Sequence, residues 1–359
     1  MGLAATLSHS VLSRLLIIVV FVTTTGRAAE TAHESYEARL ARLEAEYAQL
    51  ASQVTRLPAA SCTAACRTCC GPAPGIVGGA AVVFAQPYLS GNVPFDQSFF
   101  VNGAFVESAP SFDFDFEATP RVWFGYQTSN GHGIRARYWT FDGDSQLISL
   151  TDPANGPPDT VVRILGLVGS DLTVTSTSAA NTFFIADQNL EMDVVDLEYT
   201  RRLARSWGDF YFSGGVRYVH YEQVTSITTN FQNSFMSSRF DLEGLGPSLG
   251  VELIVPTLST IELFGSGRAA ILLSDFDQRI ESSDLGLLLA VLTAQDRNHA
   301  VGAFEAELGI RAARQLGSGA TLFAQGSVES QLWTELAHSR HDLANLGFFG
   351  LGAAMGVRR

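Results

Sequence analysis

No lysine occurs anywhere in the 359 residues, so all 23 basic side chains are arginine, and 36 acids leave a formal charge of -13. A chain so poor in cations offers no basic face to neutralise phosphates, which excludes generic nucleic-acid binding. Charge of either sign is scarce: 16% of residues are charged and 46% hydrophobic, where an ordinary soluble domain has roughly 25% charged. That balance excludes a disordered chain. Long apolar runs are missing as well, since the block Leu15 to Val22 falls far short of the ~20 residues a membrane helix requires. Cysteine is confined to Cys62, Cys66, Cys69 and Cys70, and the chain is too long for a disulfide-stapled miniprotein.

What is present begins with an address. Arg14, the apolar block after it and the small-residue exit at Ala28 and Ala29 read as a secretory signal peptide over residues 1–28, with an uncleaved anchor as the alternative. Residues 30–57 follow with apolar side chains at Tyr36, Leu40, Leu43, Tyr47, Leu50, Val54 and Leu57, alternating spacings of four and three. This heptad seam predicts a short coiled-coil helix that self-associates, a trimer being favoured, through Leu40, Leu43, Tyr47, Leu50, Val54 and Leu57. An amphipathic helix packed on its own domain is the bland alternative. Pro58 stops it. The linker 58–76 holds the cysteines. Cys62, Cys66, Cys69 and Cys70 lack the spacing of two zinc knuckles, so in an exported chain they are expected to form disulfides, within one chain or between chains.

From residue 77 to 359 the pattern changes to period two. Phe112 to Glu117 swaps aromatic for acid one by one, as only a strand sorts into a greasy and a charged face. The same sorting recurs at Val122, Phe124 and Tyr126, at Ile134, Ala136 and Tyr138 against Arg135 and Arg137, and at Phe304 to Ile310 against Glu305, Glu307 and Arg311. Strand runs of this length suit a tilted membrane strand better than a sandwich. Short links at Ala118 to Pro120, Pro256 to Leu258 and Gln315 to Gly319 alternate with long polar ones at Thr225 to Ser238, Ser274 to Asn298 and Leu336 to Ala344. The fold class is therefore all-β: an antiparallel transmembrane β-barrel of 12 or 14 strands behind a short N-terminal coiled coil. The ten apolar residues Leu285 to Ala294 fall in the longest expected loop, to fold into the mouth or onto the rim.

With the greasy phase toward lipid, the charged phase lines a lumen. It carries Arg121, Arg135, Arg137, Arg217, Arg268 and Arg311 against Asp113, Asp115, Glu117, Asp196, Glu198, Glu252, Glu262, Glu305, Glu307 and Glu329. Six arginines against ten carboxylates predict a weak cation preference. No nucleophile elbow, phosphate loop or dinucleotide fingerprint is found, and His338 and His341 beside Asp342, three residues apart in an expected polar loop, read as a solvated loop before a metal site; no enzyme and no cofactor are expected.

The segment Arg121-Val-Trp-Phe-Gly-Tyr-Gln, followed by Gly131-His-Gly-Ile-Arg-Ala-Arg-Tyr-Trp139, resembles the Legionella-type pore-forming outer-membrane protein family, which also has many planctomycete members. Gly214 to Tyr218, Gly246 to Gly250 and Glu329 to Trp333 look like its later strands, so the likeness covers roughly residues 110–357. It implies an outer-membrane barrel with pore or porin activity, passing ions and small polar solutes. Two features depart from it: the chain ends Val357-Arg358-Arg359 without a terminal aromatic, and the coiled coil with its cysteines lies outside the likeness. The competing expectation is a structural barrel without an open pore, trimerised through its coiled coil or tethered by it to the cell wall. Both place the chain in outer-membrane lipid with its N-terminal segment in the periplasm.

Overall fold

The computed structural model describes residues 74–90, 95–101, 104–108, 111–151, 160–164, 172–176, 183–229, 234–257, 260–284, 287–316, 320–339 and 342–358. The expected signal peptide, the seam from Leu40 to Leu57 and all four cysteines lie outside the described residues.

Ten strands close into a ring: β1 (Gly75–Leu89), β4 (Glu117–Gln127), β5 (His132–Asp144), β9 (Phe183–Arg205), β10 (Gly208–Thr229), β11 (Phe235–Pro256), β12 (Ile261–Asp284), β13 (Leu287–Gln315), β14 (Thr321–Ser339) and β15 (Asp342–Arg358). Each pairs antiparallel with its neighbours, and β15 returns to β1 from Val77↔Arg358 to Leu89↔Leu346, so no edge of the ring is left unpaired. The short connections 128–131, 206–207, 257–260 and 316–320 gather at one end, the turn end, together with the start of β1 and the finish of β15. The opposite end is the loop end. Outside the ring, β2 (Phe95–Val101), β3 (Ala104–Ser108), β7 (Thr160–Ile164) and β8 (Leu172–Ser176) form a separate sheet in the order β3-β2-β7-β8, while β6 (Ile148–Thr151) pairs beside β9.

Among the described residues the ring closes on ten strands, where twelve or fourteen were expected. Two physical reasons account for the excess. The strands 95–101, 104–108, 160–164 and 172–176 pair with one another and not with the ring, and the ring strands are far longer than one bilayer crossing. β12 and β13 run 24 and 29 residues, so the expected loop Ser274 to Asn298 is a continuous hairpin in which residues 287–294 of the apolar run pair with Gln278 to Asp284. Likewise β10 continues to Thr229 and β14 to Ser339. Ala118 to Pro120 is not a turn but lies inside β4. Phe112 to Phe116 is extended chain touching Ser145 through a single bridge at Phe114, and does not cross the barrel; its alternation survives, with Phe112 and Phe114 buried and Asp113 and Asp115 exposed.

The long strands change character half-way along. Near the turn end the outward face is apolar: on β12 it runs Leu263 to Leu273 without a charge, about the 9–11 residues a tilted strand spends in a bilayer. Leu249, Leu308 and Met355 stand 70 to 71% exposed there, an exposure that only lipid makes favourable. Toward the loop end the faces exchange roles. On β10 outward Val216 and Tyr218 give way to His220 and Glu222, while inward Arg217 gives way to Val219 and Tyr221. β5, β9, β11 and β12 make the same exchange, placing Asp142, Glu191, Asp241 and Asp277 outside and Phe141, Met192, Phe240 and Phe276 inside. One half of the ring is built as a membrane barrel and the other as a water-soluble one with an apolar core.

Candidate functional site: the lumen

All six expected arginines point inward, because they share one strand phase with their neighbours two residues away. Arg121 of β4 donates to both carboxylate oxygens of Glu329 on β14, at 2.8 and 2.9 Å, reaching across β1 and β15. That reach is possible because the intervening inward positions are Ala81, Gly350 and Gly352. Arg217 forks onto Asp196 at 2.7 and 3.0 Å and approaches Glu305 of β13 at 2.6 Å. Arg135 donates to Glu198 at 2.9 Å, and Arg311 holds Glu252 at 3.2 Å while lying over the rings of Phe264 and Phe323. Bidentate and charge-assisted pairs of this kind are the strong ones.

The carboxylates divide. Glu262, Glu305, Glu307 and Glu329 face the lumen as expected, and so do Asp196, Glu198 and Glu252. Asp113 and Asp115 do not: they lie exposed in the 111–116 segment, and Glu117 sits half-buried at the loop end of β4, so none of the three belongs to the charged layer. Arg358, which was not among the expected lining residues, joins it by donating to the Tyr211 hydroxyl at 3.1 Å. Arg202 and Asp209, paired at 2.7 Å in the same inward phases, add one of each sign, so eight arginines face eight carboxylates among the described residues and the excess of acid behind the expected cation preference disappears.

Above this layer, toward the loop end, the inward phase loses its charges and packs aromatic and aliphatic side chains, with Gln188, Gln223, Gln278 and Gln331 buried among them. Trp333, Tyr221, Phe141, Phe240, Leu272 and Leu336 are each 0 to 1% exposed. Phe348 meets the edges of Trp139 and Phe141 at centroid distances of 5.4 and 5.0 Å, and Trp333 carries Arg217 over its face at 5.4 Å. These aromatic positions were missed in the sequence reading although the signal was there: Arg135, Arg137, Trp139 and Phe141 occupy a single inward phase. Among the described residues the three side chains grouped closely enough to hold a metal are His220, Glu222 and Asp241, on the outer wall; Arg239 already lies 2.6 Å from Glu222 and 3.9 Å from Asp241.

A ten-stranded ring with an apolar belt and an ionic interior matches the family model described as Legionella pneumophila major outer membrane protein precursor, over residues 78–346. The chain belongs to that family. As a member it is an outer-membrane barrel, and the match runs from β1 into β15, nearly the whole ring. A search among curated proteins finds no match. Solved structures give distant likenesses. The outer membrane protease OmpT of Escherichia coli is 10% identical, covers 79% of this chain and 95% of its own, and has a TM-score of 0.42. The Pseudomonas putida toluene transporter TodX is 8% identical over 79% of this chain and 89% of its own, with a TM-score of 0.19. A Pseudomonas aeruginosa FadL homologue is 6% identical with the same coverages and a TM-score of 0.21. At such values the likenesses bear on neither activity nor cargo.

Proposed function

We propose that this family member serves as a closed, structural barrel of the outer membrane and not as a standing diffusion channel. The supporting observation is the packed, uncharged filling of the loop-end lumen, where Trp333, Tyr221, Phe141 and Phe240 are 0 to 1% exposed directly above crossed ion pairs. An aqueous path would have to desolvate solutes past a packed core, which costs several kcal/mol for an ion or polar group. The expected heptad segment 30–57, with the turn end in the periplasm, is assigned the role of trimerising the barrel or tethering it to the cell wall. Liposome swelling with small sugars is the test: no swelling is expected from a protein that still shifts with heating on gels. Sustained ohmic conductance in a planar bilayer would overturn the closed reading. Cross-linking before and after deletion of residues 30–70 tests the tether, since a trimer unchanged by the deletion removes the coiled coil from the explanation.

The porin-like reading keeps one specific support, a cavity at the turn end whose wall includes Arg135, Gln325 and Ser327. It requires the loop-end core to be displaced, so under it conductance should rise when Trp333 is truncated.

A further inference from the structure

The cavity at the turn end of the lumen measures about 130 Å³. A water needs ~10–15 Å³ of such volume, so the space suits a solute of roughly ten non-hydrogen atoms. Among the charged side chains on its wall, Arg137, Arg268 and Glu307 are held less closely than the arginines that fork onto carboxylates; Arg137 has its nearest carboxylates at 3.5 Å (Asp196) and 3.8 Å (Glu305). Arg121, Arg135, Arg217 and Arg311 hold carboxylates at 2.6 to 3.2 Å. Arg268 of β12 has its nearest carboxylates at 3.3 Å (Glu198) and 3.6 Å (Glu305), though its side chain is only 10% exposed. Those contacts engage its Nε and one terminal nitrogen, and a guanidinium carries five N–H donors in all. On the next strand Glu307, also on the wall, makes no ion pair among the described residues and faces the Ser327 hydroxyl.

The register places these two groups together. Arg268 lies opposite Glu305 and Ser266 opposite Glu307, which makes Arg268 and Glu307 diagonal neighbours on one face, about 7–8 Å apart at the backbone. On the other side Gly250 sits in register between Ser213 and Arg268. A Cβ there would come 2.6 Å from the Ser213 hydroxyl and 3.1 Å from Arg268 Cγ, so the glycine leaves Ser213 and Arg268 sharing one niche. Below, the next inward residue after Ser266 is Phe264, an apolar wall of the same cavity.

We propose that this chamber binds a zwitterionic α-amino acid with an apolar side chain: its carboxylate on Arg268 and the Ser213 hydroxyl, its ammonium on Glu307, and its side chain against Phe264. An acceptor and a donor charge on adjacent atoms match a cation and an anion on adjacent strands, and desolvated pairs in such a chamber are stronger than in water. The site does not depend on whether the barrel conducts, so conductance and binding fail separately.

The test is calorimetric titration of the full chain in detergent micelles with L-leucine, N-acetyl-L-leucine and L-leucinamide. L-leucine is expected to bind at least tenfold more tightly than either single-charge analogue. Arg268→Gln and Glu307→Gln are each expected to weaken it tenfold or more, and Ser266→Leu, which fills the chamber without changing charge, to abolish it. Should the charge variants fail to assemble, Ser266→Leu alone decides. Absence of L-leucine binding, equal binding of an analogue, or full binding by Ser266→Leu would each overturn the proposal.

Discussion

At the turn end the lumen is held by guanidinium and carboxylate groups crossing from wall to wall, whereas at the loop end the same inward phase packs Trp139, Phe141, Tyr221, Phe240, Trp333 and Phe348. The outer wall does the opposite, apolar around the turn-end half and acidic around β5 to β12 at the loop-end half. Lipid explains the pairing of these inversions. Where acyl chains cover the outside, polar groups have only the interior in which to satisfy one another; where water covers it, apolar side chains take the interior, as in any soluble fold. A barrel wall is thus two amphipathic sheets of opposite sense joined end to end, and the joint marks where the bilayer stops.

The largest test of that contrast is Trp333→Ala. It empties a fully buried aromatic site in the loop-end core and is expected to cost about 3–5 kcal/mol in denaturant unfolding. If the loss is under 1 kcal/mol, the loop-end half is not a packed core. Comparable in size is Arg121→Ala, which strands Glu329 in the ionic half at a cost of roughly 3–5 kcal/mol; replacing both partners, Arg121→Met with Glu329→Leu, should recover most of it. A double variant as unstable as the single one would mean that the ionic layer contributes more than mutual neutralisation. On the outer wall, Leu249→Arg should cost about 2–4 kcal/mol in lipid vesicles, while Asp277→Asn, on the acidic half, should stay within about 0.5 kcal/mol. Equal effects at the two sites would erase the boundary drawn between them. Smallest of all, Arg239→Ala removes an exposed ion pair with Glu222 and should change stability by at most about 1 kcal/mol.

Much of the ring was legible because alternation is a local signal. Ile134 to Tyr138 against Arg135 and Arg137 sorts correctly whatever the rest of the chain does, and every expected arginine faces inward. Phe112 to Glu117 misled for the same reason: extended chain alternates whether or not it pairs in the ring, and the segment stops at one bridge to Ser145. The expected loops at Ser274 and Thr225 failed on polarity. Asp275, Asp277, Arg279 and Glu281 looked like loop residues, yet they are the wet face of a strand whose other face holds Phe276 and Ile280. Polar residues outside mean a loop only if the strand ends with the bilayer, and these strands do not. The candidate chamber had no sequence signal, since Arg268 and Glu307 stand 39 positions apart and are joined only through the β12–β13 register.

Strand identity and the direction each lumen arginine faces were both written in the order of the residues, because period-two burial is a property of neighbouring positions. The number of strands in the ring, the partnering of Arg121 with Glu329 across two strands, and the packing of side chains in the loop-end lumen depended on closure instead. Which side chains meet across a barrel is set by how the last strand returns to the first, and that contact between Val77 and Arg358 spans nearly the whole described chain.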